Sequence, residues 1–271
     1  MKIQTLGFRS HLIFAYFDGL VIDRGEYLLV RTPHNPTFYW GNFLLMRKPP
    51  TDADVPVWLE WFNQEITQQQ PQSLHKAFGV DFNGDYKVPE AFRQMGFEAF
   101  FQTTLLLHPE GLRVPLHLHP QAIIRPLRLP QELEHAVELQ VIGDSQDFEP
   151  TGYRNFRHTQ MQRYAAMQAA GLGYWFGAFL GDQLLADCGL FAQKGLGRYQ
   201  QVTTHPYHRK QGLCSKLIYE SARFAFEHMG VKQLVIQADP ADIAQRIYER
   251  VGFKPVEQIR ALQHRPAADS V

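Results

Sequence analysis

The sequence predicts an α+β fold, in which a mixed, mostly antiparallel sheet is flanked by helices. Two observations lead to this prediction. Between about residues 122 and 262, apolar patterns follow one another as strand, two helices, three strands, helix, strand, helix and strand. The three consecutive strands are joined by short turns, which favours an antiparallel meander over a doubly wound parallel sheet.

The first of these elements follow a connector. The segment LHPEGLRVPLHLHPQ, residues 107–121, contains three prolines and a glycine, which is typical of a loop. AIIRPLRL then predicts a short strand. A helix is predicted next by apolar residues at helical spacing, namely Leu133, Ala136, Val137, Leu139 and Val141. FRHTQMQRYAAMQAAG predicts a second helix, which ends at Gly171.

The remaining elements alternate between strands and helices. YWFGAFLGDQLLADCGLFAQ and GLGRYQQVTT predict three strands, with turns at Gly181–Asp182 and Lys194–Gly195. A helix begins within HRKQGLCSKL and ends near Gly230, because a glycine at this place is typical of a helix C-cap. QLVIQA, DIAQRIYERVG and FKPVEQIRAL predict a strand, a helix and a last strand.

Composition limits the possible functions. The 271 residues suffice for two domains, and 27 Lys and Arg balance 27 Asp and Glu, which argues against a nucleic-acid binder. The two cysteines, Cys188 and Cys214, make no disulfide framework, and no apolar run approaches a membrane span. The N-terminus shows no apolar signal region. We therefore expect a cytoplasmic protein without nucleic-acid or membrane partners.

The stretch HRKQGLCSKL, residues 208–217, places basic residues and one glycine before a helix. A helix N-terminus exposes unpaired backbone N–H groups and the positive end of the helix dipole, so it attracts anions. Gly212 permits a close backbone approach, and Arg209 and Lys210 add positive charge. The stretch therefore predicts a phosphate-binding loop, although a glycine before a helix also occurs in ordinary turns. It lacks the Lys-Ser/Thr pair of a P-loop.

This loop and a downstream motif together resemble the GNAT superfamily of N-acetyltransferases. Residues 209–214 fit the family pattern Gln/Arg-x-x-Gly-x-Gly/Ala, except that Cys214 replaces the small residue. IYERVGF, residues 247–253, fits the end motif Leu-Tyr-x-x-x-Gly-Phe. Ala241 stands where many members have an asparagine, with Asp239 as a candidate substitute. The order of elements in the C-terminal half also fits the family.

The resemblance implies the acyl-CoA N-acyltransferase fold, with acetyl-coenzyme A as cosubstrate. In the family, backbone N–H groups of the loop hold the pyrophosphate, while one strand pairs with the pantetheine amides and polarises the thioester carbonyl. The residues that would bind acetyl-coenzyme A here are Val202, Thr203, Thr204, Arg209, Lys210, Gln211, Gly212, Leu213, Cys214 and Ser215.

The implied reaction is direct attack on the thioester by a primary amine of a small molecule or a peptide. The amine must arrive neutral although an alkyl amine has a pKa near ~10, and the leaving thiolate needs a proton because its thiol has a pKa near ~8.5. Tyr248 is the implied proton donor; the alternative is an aromatic residue that only packs in the core.

No proton acceptor is evident on the strand RYQQVTT, where some members carry a glutamate. His205 and His208 have a suitable ordinary pKa, although a histidine at such a place is often a surface loop residue. His117 and His119 are two residues apart, a spacing that places two metal ligands on the same face of a strand. Because the sequence has no further Cys/His cluster, we expect no metal site.

The N-terminal half contains an echo of the end motif. Phe92 precedes Gly96-Phe97 by four residues, as Tyr248 precedes Gly252-Phe253. HKAFGVDF predicts a strand matching QLVIQA, WLEWFNQEI predicts an amphipathic helix, and NPTFYWGNF predicts a strand hairpin, a wall of the acceptor site or core packing. This half has no glycine loop and no phenol at Phe92. The echo is either a degenerate partial copy or a coincidence.

We therefore expect a tandem arrangement, with a degenerate acetyltransferase-like domain at residues 1–115 and an acetyl-coenzyme A-binding domain at residues 122–271. Two alternatives stay open. The protein is a coenzyme A-binding sensor or scaffold without turnover, or it transfers another acyl group or acts on an O-nucleophile. The sequence identifies neither the acceptor nor the oligomeric state.

Overall fold

The computed structural model describes residues 2–144 and 150–265. They form two compact units. The N-terminal unit comprises residues 2–104 and 257–265, and the C-terminal unit comprises residues 105–256 with the gap at 145–149. The predicted domain limits of 1–115 and 122–271 follow chain order, whereas the compact units do not, because the last strand belongs to the N-terminal unit.

The elements of the N-terminal unit begin at the first helix. In chain order they are α1 (Leu6–Asp18), β1 (Leu20–Asp23), β2 (Tyr27–Arg31), β3 (Phe43–Met46), α2 (Val55–Phe62), β4 (Lys76–Val80), α3 (Glu90–Gln94) and β5 (Glu98–Leu107). Helix α2 continues into a π-helical turn, Asn63–Thr67. The residues of β5 after 104 belong to the C-terminal unit.

The C-terminal unit has the order of elements that the sequence predicts. Its elements, followed by the strand that passes into the N-terminal unit, are β6 (Ile123–Pro126), α4 (Leu133–Gly143), α5 (Pro150–Ala169), β7 (Gly173–Leu180), β8 (Gln183–Gln193), β9 (Leu196–Thr204), α6 (Leu213–His228), β10 (Gln233–Ala238), α7 (Ala244–Val251) and β11 (Lys254–His264). The predicted α+β class is confirmed.

Each unit has its own series of paired strands. In the C-terminal unit the strand order is β6-β7-β8-β9-β10, with antiparallel pairs except for the parallel pair β9/β10. In the N-terminal unit the order is β1-β2-β3-β4-β11, with antiparallel pairs except for the parallel pair β3/β4. Helices α2 and α6 are the crossovers that a parallel pair requires.

Helices cover both faces of the sheet in the N-terminal unit. Side chains alternate between the two faces along a strand, so Leu28 and Val30 of β2 pack with Leu12 of α1. Tyr27 and Leu29 pack on the opposite face with Trp58 of α2. Strand β2 is therefore almost continuously apolar instead of alternating with polar residues.

The C-terminal unit is layered in the same way. Helix α6 buries Leu217, Ile218 and Ala222 against strands β7–β9. On the other face of the sheet, Tyr164 of α5 stacks on Trp175, with ring centroids 4.8 Å apart.

The sequence missed the first elements of the N-terminal unit. Helix α1 buries polar positions together with apolar ones, including Ser10, whose hydroxyl donates to the Gly7 carbonyl at 2.9 Å, so its apolar pattern is not clearly helical. The predicted hairpin in NPTFYWGNF is wrong. From Asn35 to Asn42 the segment is a loop with a 3₁₀ turn at Tyr39–Gly41, because the Asn42 side chain donates to the Asn35 and Phe38 carbonyls and holds the chain in place, and its last residue, Phe43, begins β3.

The two units share the order and pairing of their elements. The series α1-β1-β2-β3-α2-β4-α3-β5 has the same order of helices and strands as α5-β7-β8-β9-α6-β10-α7-β11. Their short third helices also end alike. The Phe97 amide donates to the Phe92 carbonyl at 3.0 Å, as the Phe253 amide donates to the Tyr248 carbonyl at 3.1 Å. The echo noticed in the sequence therefore coincides with the same local structure.

Candidate functional site

Strands β9 and β10 pair over only part of their lengths. Their register runs from Leu196 opposite Gln233 to Arg198 opposite Val235. Beyond Arg198, β9 continues to Thr204 and β10 continues to Ala238 without a further pair between them. The carboxyl-terminal half of β9 therefore has an edge that β10 does not cover.

A bulge lies at the start of this uncovered edge. On β9, Gln201 and Val202 together face a single residue of β8, since Gln200 pairs with Gly189 and Thr203 pairs with Asp187. Gln201 has a φ of +47°, which bends the strand locally. Such a bulge turns the strand away from its neighbour, and here it falls where the pairing with β10 has ended.

Helix α6 begins a few residues after β9. Gly212 is its N-cap residue, with a φ of +82°, and no described side chain caps the helix. Lys210 also has a positive φ, of +62°. The backbone N–H groups of the first turn, at Leu213, Cys214 and Ser215, have no carbonyl four residues earlier within the helix to bond to. The predicted loop residues are thus placed together at a helix N-terminus.

The connector lies directly against this N-terminus, a contact that the sequence did not indicate. A Cβ added at Gly212 would lie 2.8 Å from the backbone nitrogen of His119 and 3.0 Å from the carbonyl oxygen of His117. The Lys216 ammonium donates to the His119 carbonyl at 3.0 Å. Gly212 is therefore required both by its positive φ and by the close approach of the connector backbone.

The basic side chains of the loop are open to solvent. Arg209 and Lys210 are exposed, and Arg209 makes two long hydrogen bonds of 3.3 Å, to the Thr204 and Gly143 carbonyls. Since Thr204 ends β9 and Arg209 precedes α6, this side chain spans the gap between the two elements. Its positive charge lies where the uncovered edge of β9 meets the helix N-terminus.

Tyr248 is almost fully buried, at 4% exposure, on helix α7. Burial raises the pKa of its phenol well above the ordinary value, and the nearby thiol of Cys214 in the first turn of α6 adds to this effect. The phenol is therefore protonated at neutral pH. Cys214 itself is a neutral thiol, because burial raises its pKa to about 12.

The other polar residues considered from the sequence are dispersed. The Asp239 carboxylate accepts a hydrogen bond from the Ala241 amide at 2.8 Å, so it organises the turn before α7. His205 and His208 lie with ring centroids 5.2 Å apart in the loop between β9 and α6. Within residues 2–144 and 150–265, no group of three or more His, Cys, Asp or Glu side chains is placed to hold a metal ion.

Sequence reasoning missed a buried polar group beside β9. Asp187 of β8 is fully buried, and its Oδ2 atom accepts hydrogen bonds from Gln140 Nε2 at 3.0 Å and from Trp175 Nε1 at 2.9 Å. Burial raises the pKa of this carboxyl to about 7. The signal available in the sequence was a single aspartate inside the apolar strand LLADCGLF.

The C-terminal part of the chain matches a known family. Residues 140–253, from α4 to the end of α7, fit the model of the acetyltransferase (GNAT) family. This part of the chain is a GNAT domain. It contains β9, the helix α6 N-terminus and Tyr248, so the geometry described above lies inside the matched segment. No curated protein sequence matches the chain.

Solved structures resemble the chain over most of its length. A functionally unknown conserved protein from Staphylococcus epidermidis is similar with a TM-score of 0.75, 16% identity and coverage of 93% of this chain and 96% of its own. A GCN5-related N-acetyltransferase from Kribbella flavida has a TM-score of 0.64, 18% identity and coverage of 99% of both chains. A tandem GNAT protein from the clavulanic acid biosynthesis pathway has a TM-score of 0.55, 12% identity and coverage of 83% and 74%. At such identities the likeness establishes the fold.

No helix in the part of the chain that the structure describes is long and apolar enough to cross a membrane.

Proposed function

We propose that the GNAT domain binds acetyl-coenzyme A and transfers its acetyl group to a primary amine of a small molecule or a peptide. The observation that carries this proposal is the uncovered edge of β9 beyond Arg198. An exposed strand edge offers backbone N–H and C=O groups to an extended ligand. The two amides of a pantetheine arm would pair with Val202, Thr203 and Thr204 as an added strand does.

The helix α6 N-terminus suits the pyrophosphate end of the same ligand. Its first-turn N–H groups at Leu213, Cys214 and Ser215, together with those of Gln211 and Gly212, would hold the phosphate oxygens. The exposed Arg209 and Lys210 add two positive charges at the mouth of this site. The residues present therefore fit an anionic group, and no carboxylate belongs to the loop itself.

Acetyl-coenzyme A, when bound, supplies an activated thioester carbonyl. A backbone N–H of β9 would donate to that carbonyl oxygen as negative charge develops there. Tyr248 would hold a proton on its phenol oxygen and donate it to the leaving sulfur. Burial raises the pKa of Tyr248, and the same burial would disfavour the charge of a departing thiolate beside it, so the sulfur would be a stronger base where it meets the phenol.

We further propose that the N-terminal unit is a degenerate copy of the GNAT fold that binds no acetyl-coenzyme A. Its elements repeat the order of α5 to β11, but the segment between β3 and α2 contains no glycine, and Phe92 offers no proton. Each chain should therefore bind one molecule of acetyl-coenzyme A, in the C-terminal unit.

A screen of amine acceptors with detection of released thiol tests the proposed reaction. Amino acids, polyamines, aminoglycoside-type amines and peptides with free N-termini should be presented with acetyl-coenzyme A. We expect acetyl-coenzyme A-dependent thiol release with at least one amine, and an acetylated product by mass spectrometry. Tight binding of acetyl-coenzyme A by calorimetry, without release for any acceptor, would instead identify a sensor or scaffold. Preference for a longer acyl donor would correct the acyl group.

A further inference from the structure

The Asp187 carboxylate is held firmly through one oxygen only. Gln140 of α4 and Trp175 of β7 both donate to Oδ2, and the residue is entirely buried. The other oxygen, Oδ1, has no hydrogen-bond partner among the described residues. Buried polar atoms without partners are uncommon in folded proteins, and each requires a reason.

A second such atom lies on the neighbouring strand. Thr203 of β9 is directly opposite Asp187 in the antiparallel pair, so the two side chains lie on the same face of the sheet. The Thr203 hydroxyl is also buried and has no partner in the described part of the chain. The methyl group of Thr203 packs closely on α4 at Gly143: a Cβ added at Gly143 would lie only 2.6 Å from Thr203 Cγ2. A donor and an acceptor are thus left adjacent and unused.

We propose that the Thr203 hydroxyl and the Asp187 carboxylate form the proton relay of acetyl transfer, in which Thr203 takes the proton of the attacking amine and Asp187 Oδ1 is the final acceptor. The inference rests on the proposed function, because Thr203 belongs to the uncovered edge of β9 assigned to the thioester. β9 itself has no carboxylate in RYQQVTT, and Asp187 is the carboxylate opposite that edge on β8.

The proton balance of this step closes. A neutral amine forms a bond from its nitrogen to the thioester carbonyl carbon, and the carbon–sulfur bond breaks. The nitrogen gives one proton to Thr203 Oγ1 while Thr203 gives its own to Asp187 Oδ1, and Tyr248 gives a proton to the sulfur. Asp187 ends with one extra proton and Tyr248 with one fewer, and exchange with water restores both.

The charges near Asp187 suit a proton acceptor at neutral pH. Burial has the largest effect and raises the pKa of Asp187 to about 7, Arg157 of α5 lowers it, and Asp144 at the end of α4 raises it. Arg157 is itself paired with Asp144 at 3.0 Å. His205 follows in the loop after β9, and its Nδ1 atom is buried. A base of this pKa is about half ionised at pH 7, where general-base catalysis is most effective.

The pH dependence of turnover distinguishes a relay from a structural role. In the parent protein, log kcat/KM should rise steeply with pH up to an apparent pKa near 7; this acidic limb adds to the shallower rise that the amine, with its ordinary pKa near ~10, gives at higher pH. Asp187→Asn should lower kcat by about 10²–10⁴-fold and remove this limb, with the acetyl-coenzyme A Kd unchanged. Thr203→Val, which keeps the shape but not the hydroxyl, should do the same. Thr203→Ser, which keeps the hydroxyl, should retain most of the activity.

Each outcome decides between the proposals. An active parent whose Asp187→Asn variant keeps the acidic limb, or whose Thr203→Val variant matches Thr203→Ser, would overturn the relay alone. A parent that binds acetyl-coenzyme A but acetylates no amine would overturn the proposed function and the relay with it. Loss of the limb in both Asp187→Asn and Thr203→Val, with rescue in Thr203→Ser, is the result that supports the relay.

Discussion

Replacing Asp187 with asparagine should change how the stability of the protein depends on pH. Burial raises the pKa of this carboxyl from 3.8 to about 7. The folded protein therefore binds this proton more tightly than the unfolded chain does. The resulting stabilisation is fully present below about pH 4 and is lost as the pH rises to about 7. Asparagine carries no charge at any of these pH values, so the variant lacks this loss.

The size of the effect follows from the shift. One pKa unit corresponds to ~1.36 kcal/mol, so a shift of about three units amounts to roughly 4 kcal/mol between pH 4 and pH 8. The Asp187→Asn variant keeps an acceptor oxygen for Gln140 and Trp175. We therefore expect its free energy of unfolding, relative to the parent, to increase by up to about 4 kcal/mol from pH 4 to pH 8.

Urea unfolding of both proteins at several pH values measures this difference directly. Asp182→Asn is the matched control, because Asp182 is exposed in the turn between β7 and β8 and its replacement removes the same charge. Its unfolding free energy should follow the parent within about 0.5 kcal/mol at every pH. Parallel curves for Asp187→Asn and the parent would refute the argument that Asp187 is buried at an energetic cost.

Three further predictions concern the site and its support. Ser215→Asp places a carboxylate in the first turn of α6, which should stabilise the helix by about 0.3–1 kcal/mol. The same carboxylate should repel the phosphates and weaken coenzyme A binding at least tenfold, as measured by calorimetry. Gln183→Glu adds the same charge at an exposed position and, as the control, should leave the Kd of coenzyme A unchanged. Tyr248→Phe should lower kcat at least tenfold with the acetyl-coenzyme A Kd nearly unchanged, and equal turnover would reduce Tyr248 to a packing residue. Gly252→Ala should destabilise the protein by at least about 2 kcal/mol in thermal unfolding, because its φ is +114° and the added Cβ would overlap the Gly111 carbonyl of the connector. Gly181→Ala is the control: its φ is +57° and its Cβ would lie in open space, so it should cost only about 1 kcal/mol.

Local patterns predicted most of the C-terminal unit. Strands β7–β9, helix α6 and the position of Gly212 at its start follow from apolar spacing and from a glycine after basic residues. The pattern of DIAQRIYERVG also predicted helix α7. The burial of Tyr248 is consistent with both of its interpretations, a proton donor or an aromatic residue that only packs in the core. The positions of these helices and strands are determined by residues that lie close together in the sequence.

What the sequence did not reveal depends on contacts between distant residues. The connector backbone at His117 and His119 packs on Gly212, more than ninety residues later, and no periodic pattern reports such a contact. Asp187 is bonded to Gln140, 47 residues away, so its unusual pKa could not be read from its neighbours in the chain. The membership of β11 in the N-terminal unit is likewise a result of pairing with β4, not of chain order.

Amide hydrogen exchange with and without acetyl-coenzyme A tests the central claim most directly. Bound ligand slows exchange of the N–H groups that it covers or bonds. We predict slower exchange in two segments of the C-terminal unit, residues 199–204 of β9 and residues 211–216 at the start of α6, and no change in the N-terminal unit. Slower exchange in the N-terminal unit, or unchanged exchange in both segments at saturating acetyl-coenzyme A, would contradict the assignment of the binding site.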